Sequence, residues 1–209
     1  MPCQNSSASR CSYKLHQKKN NLLFYVPAFR DLYLKFMDIY LTIEEKYLQA
    51  VNELNYDETP KALHLLNAIV ADEPFYTRAH FQLGKLYYYE INDYLAAGYH
   101  FKTCAELEPL FPDVYHYYLH LLVFLKMEKQ VDLIGQKALA IPGVNAAYIY
   151  NLRGLFAERN KEWAKAKEAY RKAYIEATCK HEKVNIEESI ERVKAKKQQS
   201  KKFNYELSN

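Results

Sequence analysis

The chain has 209 residues, of which 49% are hydrophobic and 26% are charged, and it contains only five glycines and seven prolines. This composition excludes an intrinsically disordered tract and a turn-rich all-β chain, and it favours a helical globular protein. The formal net charge of +4 is concentrated at the ends, because residues 1–36 hold six Lys/Arg against one Asp and residues 194–209 hold five Lys against one Glu. The body between them is slightly acidic, so we expect no nucleic-acid-binding face on it.

The first 43 residues precede the regular part of the sequence. Residues 1–29 are predicted to be a disordered extension, and residues 30–43 are predicted to form a leading helix that packs onto the first repeat. Residues 22–43 are the most apolar stretch, but they contain four charged side chains, Arg30, Asp31, Lys35 and Asp38. Each charge costs about 2.5–3.5 kcal/mol at the centre of a bilayer, so this stretch is not expected to span a membrane.

The cysteines point to a reducing compartment. Cys3, Cys11, Cys104 and Cys179 are scattered, without the spacing of a zinc site or of a disulfide framework. The first 20 residues contain no apolar core, so no secretory signal is expected. We therefore predict a cytoplasmic location.

From residue 44 onward, one pattern recurs: a small residue, an apolar or aromatic residue four positions later, and a proline just past the helix end. The four copies begin at Ala62, Ala97, Val131 and Ala166, which are 35, 34 and 35 residues apart, and the fourth lacks the terminal proline. A period near 34 residues is typical of repeat arrays. Each unit holds two helix-length patterns separated by a short polar break, and each repeat is therefore predicted to be a helical hairpin.

These repeats resemble the tetratricopeptide repeat family over residues 44–178. The second unit carries Leu83-Gly84-x-x-Tyr87 and then Ala97-x-x-x-Phe101 before Pro109, and the fourth repeats the pattern with Gly154, Ala166 and Tyr170. Glycine at this position lets the two helices approach closely, and the aromatic ring fills the space between hairpins. The third unit departs from the pattern, with Leu119 for the glycine and Gly135 for the aromatic residue. The resemblance implies an all-α, right-handed α-solenoid of about four antiparallel helical hairpins with flanking and capping helices.

A capping helix is predicted at residues 185–197. Asn185 followed by Glu188 is typical of a helix start, and Ile186, Ile190 and Val193 form one apolar seam. This seam is expected to cover the last hairpin, since a terminal repeat needs a cap with a polar outer face. Residues 198–209 offer little apolar surface and are predicted to be a frayed basic tail.

The resemblance also implies a concave groove, lined by the first helix of each hairpin, that binds a peptide or helix of a partner protein. Several of the 20 tyrosines are consecutive and cannot all face inward, because successive helical residues point about 100° apart; displayed tyrosine is typical of interfaces. The predicted groove residues are Arg78, Phe81, Lys85, Tyr88, Tyr89, Asp113, His116, His120, Phe124, Tyr148, Asn151, Leu155 and Glu158. The sequence thus predicts a non-enzymatic adaptor or scaffold without a cofactor, whose protein partner it does not identify; it leaves self-association open.

Two alternatives stay open from the sequence. His116 and His120 lie four residues apart and share one helix face, as two metal ligands would, with Asp113 one turn earlier as the candidate third ligand. The C-terminal lysines would bind nucleic acid through phosphate contacts; they are Lys194, Lys196, Lys197, Lys201 and Lys202. Catalysis is disfavoured, because the sequence contains no P-loop, no dinucleotide-binding glycine pattern, no H-E-x-x-H and no G-x-S-x-G motif.

Overall fold

The computed structural model describes residues 42–206, which fold into nine α-helices. Their bounds are α1 Ile43–Asn55, α2 Thr59–Asp72, α3 Thr77–Leu86, α4 Tyr94–Leu107, α5 Pro112–Phe124, α6 Glu128–Leu139, α7 Ala146–Arg159, α8 Trp163–Glu176 and α9 Lys180–Glu206. A π-helical turn, Tyr87–Ile91, continues α3. The helices pair as four hairpins, each of which packs on the next, and α9 packs on α8. The predicted all-α solenoid of four hairpins is confirmed.

The period seen in the sequence is the period of the structure. The four anchor residues, Ala62, Ala97, Val131 and Ala166, each stand fourth in the second helix of a hairpin, on α2, α4, α6 and α8. All four are at most 1% exposed. A small side chain is needed here because the helices of neighbouring hairpins meet at this level.

A second periodic feature was not predicted. Asp57, Asn92, Lys126 and Lys161 have positive φ angles of 58° to 62° and follow the first helix of each hairpin. After α1, α5 and α7, the left-handed residue allows the next amide to donate back to the helix: Glu58 to Glu53, Met127 to Leu122, and Glu162 to Ala157. This is the Schellman arrangement, which satisfies carbonyls that a helix end leaves free. The chain therefore reverses direction in the same way in these three hairpins.

Two hairpins close through contact between a glycine and an aromatic ring. A Cβ atom on Gly84 would lie 2.6 Å from the ring of Phe101, and one on Gly154 would lie 2.7 Å from the ring of Tyr170. Both rings belong to the second helix of the same hairpin and are buried. The glycines are thus required by close approach, as the sequence predicts, and not by their backbone angles.

Two loops between hairpins are held by equivalent hydrogen bonds. His80 Nε2 donates to the Pro74 carbonyl over 3.0 Å, and the Tyr115 hydroxyl donates to the Pro109 carbonyl over 2.7 Å. Because Nε2 carries the proton, Nδ1 of His80 accepts from Nδ1 of His100, 3.0 Å away. Burial and the neighbouring His80 lower the pKa of His100 to about 4. His100 is therefore uncharged at neutral pH.

The ends of the array differ from the prediction. Thr42 and Ile43 do not end a leading helix: Thr42 caps α1 in a capping box with Glu45. The rest of the predicted leading helix and the predicted disordered extension lie outside the described residues. At the other end, α9 begins at Lys180 and continues to Glu206, well beyond the predicted 185–197. It includes most of the predicted frayed tail, because lysine and glutamine are good helix formers.

The apolar side of α9 covers the last hairpin. Ile186 and Val193 are buried in a cluster with Tyr170, and Ile190 packs against the same cluster. The remaining positions of α9 are mostly polar. Within residues 42–206, no helix combines the length and the apolar character required to cross a bilayer.

Substituting the two close-approach glycines should destabilise the protein. Gly84→Ala or Gly154→Ala forces a ring to move, and we expect a loss of about 1–3 kcal/mol in the free energy of unfolding, the usual cost of overpacking a core. The matched control is Gly98→Ala in α4, where the nearest atom to an added Cβ lies 3.8 Å away. This control should gain up to about 1 kcal/mol from helix propensity. Urea unfolding followed by circular dichroism measures all three; equal effects would contradict the close-approach argument.

Replacing a lysine that has a positive φ angle with glycine should stabilise the protein. Lys161→Gly removes the steric cost of φ 62°, so we expect the free energy of unfolding to rise by about 0.5–1 kcal/mol. Lys167→Gly, inside α8, should instead lose about 1 kcal/mol or more. Thermal unfolding of the two variants separates these outcomes. A destabilised Lys161→Gly protein would show that the lysine side chain makes a contribution larger than its backbone cost.

Candidate functional site: an aromatic face on three first helices

The first helices of the second, third and fourth hairpins bring their aromatic side chains together. We call this surface the aromatic face; it comprises Phe81, Tyr88, Tyr89, His116, Tyr117, His120, Phe124 and Tyr148. Seven of these eight are among the predicted groove residues. The structure therefore joins predicted residues of α3 and α5 in one set of ring contacts, and a separate contact between His116 and Tyr148 joins α5 to α7.

Phe81 and Tyr117 connect α3 to α5. Their rings meet edge to face with centroids 5.4 Å apart, and Phe111 contacts the other side of Phe81 at 5.0 Å. The Lys85 ammonium lies 5.5 Å from both the Phe81 and the Tyr117 ring centroids. A cation over aromatic rings is attracted by their negative faces, so Lys85 is held at the face.

The π-helical turn sets the positions of two consecutive tyrosines. Tyr88 is 7% exposed, whereas Tyr89 is 51% exposed, although their ring centroids are only 4.5 Å apart. The Tyr88 hydroxyl and His120 Nδ1 form a hydrogen bond of 2.7 Å. Burial, with a smaller effect of nearby Tyr89, raises the pKa of Tyr88 to about 12, so the hydroxyl keeps its proton. The turn thus fixes one ring inside and presents the other outside, and π-turns are frequent at functional sites.

The histidines of the face are uncharged at neutral pH. Burial lowers the pKa of His116 and of His120, and the positive charge of Arg159 lowers that of His120 further. His116 lies edge to face with Tyr148 at 5.1 Å, and its Nε2 atom is buried without a hydrogen-bond partner in the described part of the chain.

Other predicted groove residues lie at the margin or outside the face. Arg78 is exposed and pairs with Glu44 of α1 at 3.3 Å, and Asp113 is exposed at the start of α5. Asn151 and Leu155 are half-buried on α7, where Leu155 packs against the core. Phe81 and Tyr88, which were predicted to be displayed, are buried and support the exposed rings.

The sequence reasoning missed two contributors. Tyr117 contacts Phe81 and Tyr89, and its place in the run Tyr115, Tyr117, Tyr118 was the available signal. Arg159 ends α7 close enough to affect the pKa of Tyr88 and of His120. Nothing in the sequence of α7 distinguishes Arg159 from an ordinary helix-end cation.

Comparison with known proteins bears on the fold. No protein-family model and no curated protein matches the sequence, but solved structures do. A MamA RS-1 ArsTM double mutant is similar with a TM-score of 0.64 at 18% identity, covering 79% of this chain and 90% of that one. MamA 41-end from Desulfovibrio magneticus RS-1 gives 0.56 at 18% identity, covering 75% and 96%. PilW, a type IV pilus biogenesis factor, gives 0.54 at 16% identity, covering 64% and 61%.

The chain has the tetratricopeptide-repeat fold. The predicted resemblance is confirmed by these neighbours together with the four equivalent hairpins described above.

At the end of this tetratricopeptide array, Glu158 corrects the groove prediction. It is 5% exposed and accepts hydrogen bonds at 2.8–2.9 Å from the Tyr170 hydroxyl, from two nitrogens of Arg192 and from the Lys196 ammonium. The bonds to Arg192, Lys196 and Tyr170 outweigh burial and lower the pKa of Glu158 to about 2. Glu158 therefore ties α7 to α8 and α9 because the long α9 covers it.

The structure does not support a metal at His116 and His120. Among residues 42–206, no three His, Cys, Asp or Glu side chains are grouped so that they could hold a metal ion. His120 Nδ1 is already bonded to Tyr88.

The lysines of α9 are partly engaged in ion pairs. Lys196 binds Glu158 at 2.8 Å, and Lys194 binds Glu191. These ion pairs leave fewer free cations on α9 to bind the phosphates of a nucleic acid.

Removing the charge of Glu158 should loosen the C-terminal end. We expect Glu158→Gln to lower the free energy of unfolding by about 3 kcal/mol at pH 7, as for one partner of a buried ion pair. Because the folded pKa is depressed, the contribution is complete above about pH 4.5 and is lost as the pH falls toward 2. The difference between wild type and variant should therefore be constant from pH 7 to 5 and shrink below that.

The control is Glu168→Gln, an exposed carboxylate paired with Lys172, which should leave stability nearly unchanged. Urea unfolding at several pH values measures both variants. A pH-independent difference for Glu158→Gln would show that packing, and not charge, holds α9 in place.

Proposed function

We propose that this protein is a non-enzymatic adaptor or scaffold that docks a peptide or helix of a partner protein on the aromatic face, in the concave groove of the solenoid. One observation carries the proposal: Tyr89 and Phe124 are 51% and 46% exposed, and both contact the buried ring of Tyr88. Tyrosine and phenylalanine are enriched at protein interfaces. Rings held in place before binding lose little entropy when a partner covers them.

The extent of the face suits a short segment. Helices pack at about 8–10 Å between axes, so α3, α5 and α7 side by side span roughly 20 Å. That length accommodates a helix of about 13 residues or an extended segment of about six. A groove lined by three helices side by side fits the helix-in-groove mode of recognition.

The chemistry of the face favours binding over catalysis. Tyr88 and His120 are hydrogen-bonded to each other, and the Tyr88 hydroxyl keeps its proton because its pKa is raised to about 12. A pair in which the hydroxyl stays protonated is a poor nucleophile and base at neutral pH. The tyrosines and histidines act as neutral donors, acceptors and contact surface.

A cytoplasmic location forms part of this proposal. Cys104 is a buried free thiol whose pKa burial raises to about 12, and Cys179 is a free exposed thiol. Free thiols of this kind suit a reducing compartment.

The proposal is tested by affinity capture from a lysate of the native cell, followed by mass spectrometry. Tyr89→Ala/Phe124→Ala removes exposed rings only and should leave the fold intact by circular dichroism. We expect partners captured by the wild type to be lost, because hot-spot aromatics typically contribute about 2 kcal/mol or more to binding. Leu133→Ala/Ile175→Ala is the matched control, since both residues are exposed on the second helices α6 and α8. Loss of capture with the control, or retention with the first variant, would place the binding surface elsewhere.

A further inference from the structure

Two cations flank the aromatic face without a carboxylate partner. Lys85 lies over the Phe81 and Tyr117 rings, and Arg159 is the exposed last residue of α7, the helix that carries Tyr148. Neither forms a salt bridge with any described residue, whereas Arg78, Arg153 and Arg192 each do. Glu158 precedes Arg159 in the chain, but its carboxylate is bound by Arg192 and Lys196 of α9.

The tyrosine hydroxyls of the face keep their protons at neutral pH. Burial raises the pKa of Tyr88, Tyr89 and Tyr148, so these hydroxyls stay protonated at neutral pH. Both histidines are neutral. Asp113 and Glu90 are exposed at the start of α5 and in the π-helical turn, so they lie at the edges of the face, as the two cations do, and the tyrosine hydroxyls lie between them.

We propose that the segment docked on the aromatic face is acidic: it carries Asp or Glu side chains that bind Lys85 and Arg159, next to an aromatic or leucine side chain that packs on Tyr89 and Phe124. This inference rests on the proposed function and specifies the partner's chemistry. Carboxylates are the complement of unpaired cations with neighbouring O–H donors. A single-stranded nucleic acid also stacks on aromatic rings, but it needs a continuous track of cations along its phosphates, and this face presents two.

The test starts from an unbiased probe. A phage-displayed library of random 12-residue peptides is selected on the full chain and counter-selected on Tyr89→Ala/Phe124→Ala. We expect the enriched peptides to be net negative, with Asp or Glu close to Phe, Tyr, Trp or Leu. The most enriched peptide is then synthesised with its acids intact and with Asn and Gln in their place, and binding is measured by fluorescence anisotropy.

The acidic peptide should bind about tenfold more tightly than its amide version at 50 mM salt, and the ratio should fall to about twofold at 500 mM. Lys85→Ala/Arg159→Ala should weaken binding of the acidic peptide by a similar factor and remove the difference between the two peptides. Lys129→Ala/Arg171→Ala is the matched control, because both residues are exposed on α6 and α8; it should change neither affinity.

The outcomes separate this inference from the proposed function. Enriched peptides that are neutral or basic, or an amide version that binds equally well, overturn the acidic partner while docking on the face stands. Tighter binding of a 12-nucleotide oligouridylate than of any peptide also overturns it. If no peptide is enriched over the Tyr89→Ala/Phe124→Ala counter-selection, the proposed docking function itself fails.

Discussion

The contact between a glycine and an aromatic ring is the constraint on which the rest of this array depends. Gly84 beneath Phe101 and Gly154 beneath Tyr170 allow the two helices of a hairpin to approach until ring and backbone touch. Because the ring occupies the inside of the hairpin, the first helix turns its other side outward. Repetition of the unit then places α3, α5 and α7 next to one another, and their outward sides become one surface. The aromatic face thus follows from the way the second and fourth hairpins close and from the repetition of the unit between them.

Each hairpin except the last is covered by the next hairpin. The last hairpin is covered by α9, which adds ionic contacts to the apolar ones. Inside the array each apolar side is covered by the next unit, and the loops are closed by short hydrogen bonds such as that from Tyr115 to Pro109. After α8 no further hairpin follows, and α9 supplies Ile186 and Val193 to cover the exposed cluster. Glu158 is buried by the same helix, so its charge must be compensated there; Arg192, Lys196 and Tyr170 provide the donors. A buried carboxylate with fewer partners would be strongly destabilising.

The sequence predicted those repeated features that require a particular residue type and missed those that no residue type marks. The anchors at Ala62, Ala97, Val131 and Ala166 predicted four hairpins because packing requires a small residue at each equivalent level. Lysine has no intrinsic preference for positive φ, so Lys126 and Lys161 gave no signal of the turn they form. Tyr87–Ile91 reads as ordinary helix in the sequence, since a π-turn arises from tertiary contacts. Glu158 was placed in the groove by its position on the first helix of the fourth hairpin, and nothing in the sequence shows that Arg192 and Lys196 of the capping helix reach it.

The aromatic face consists of buried side chains that fix their neighbours in place and of exposed side chains that are available for contact. Tyr88 is buried and bonded to His120, and through ring contact it fixes Tyr89, which is exposed. Phe124 contacts Tyr88 and Tyr94 in the same way and is half exposed. The displayed rings are therefore restricted before any partner arrives, which lowers the entropic cost of binding. The supporting histidines are neutral at physiological pH because burial lowers their pKa. Lys85 and Arg159 are then the cationic side chains that flank the rings.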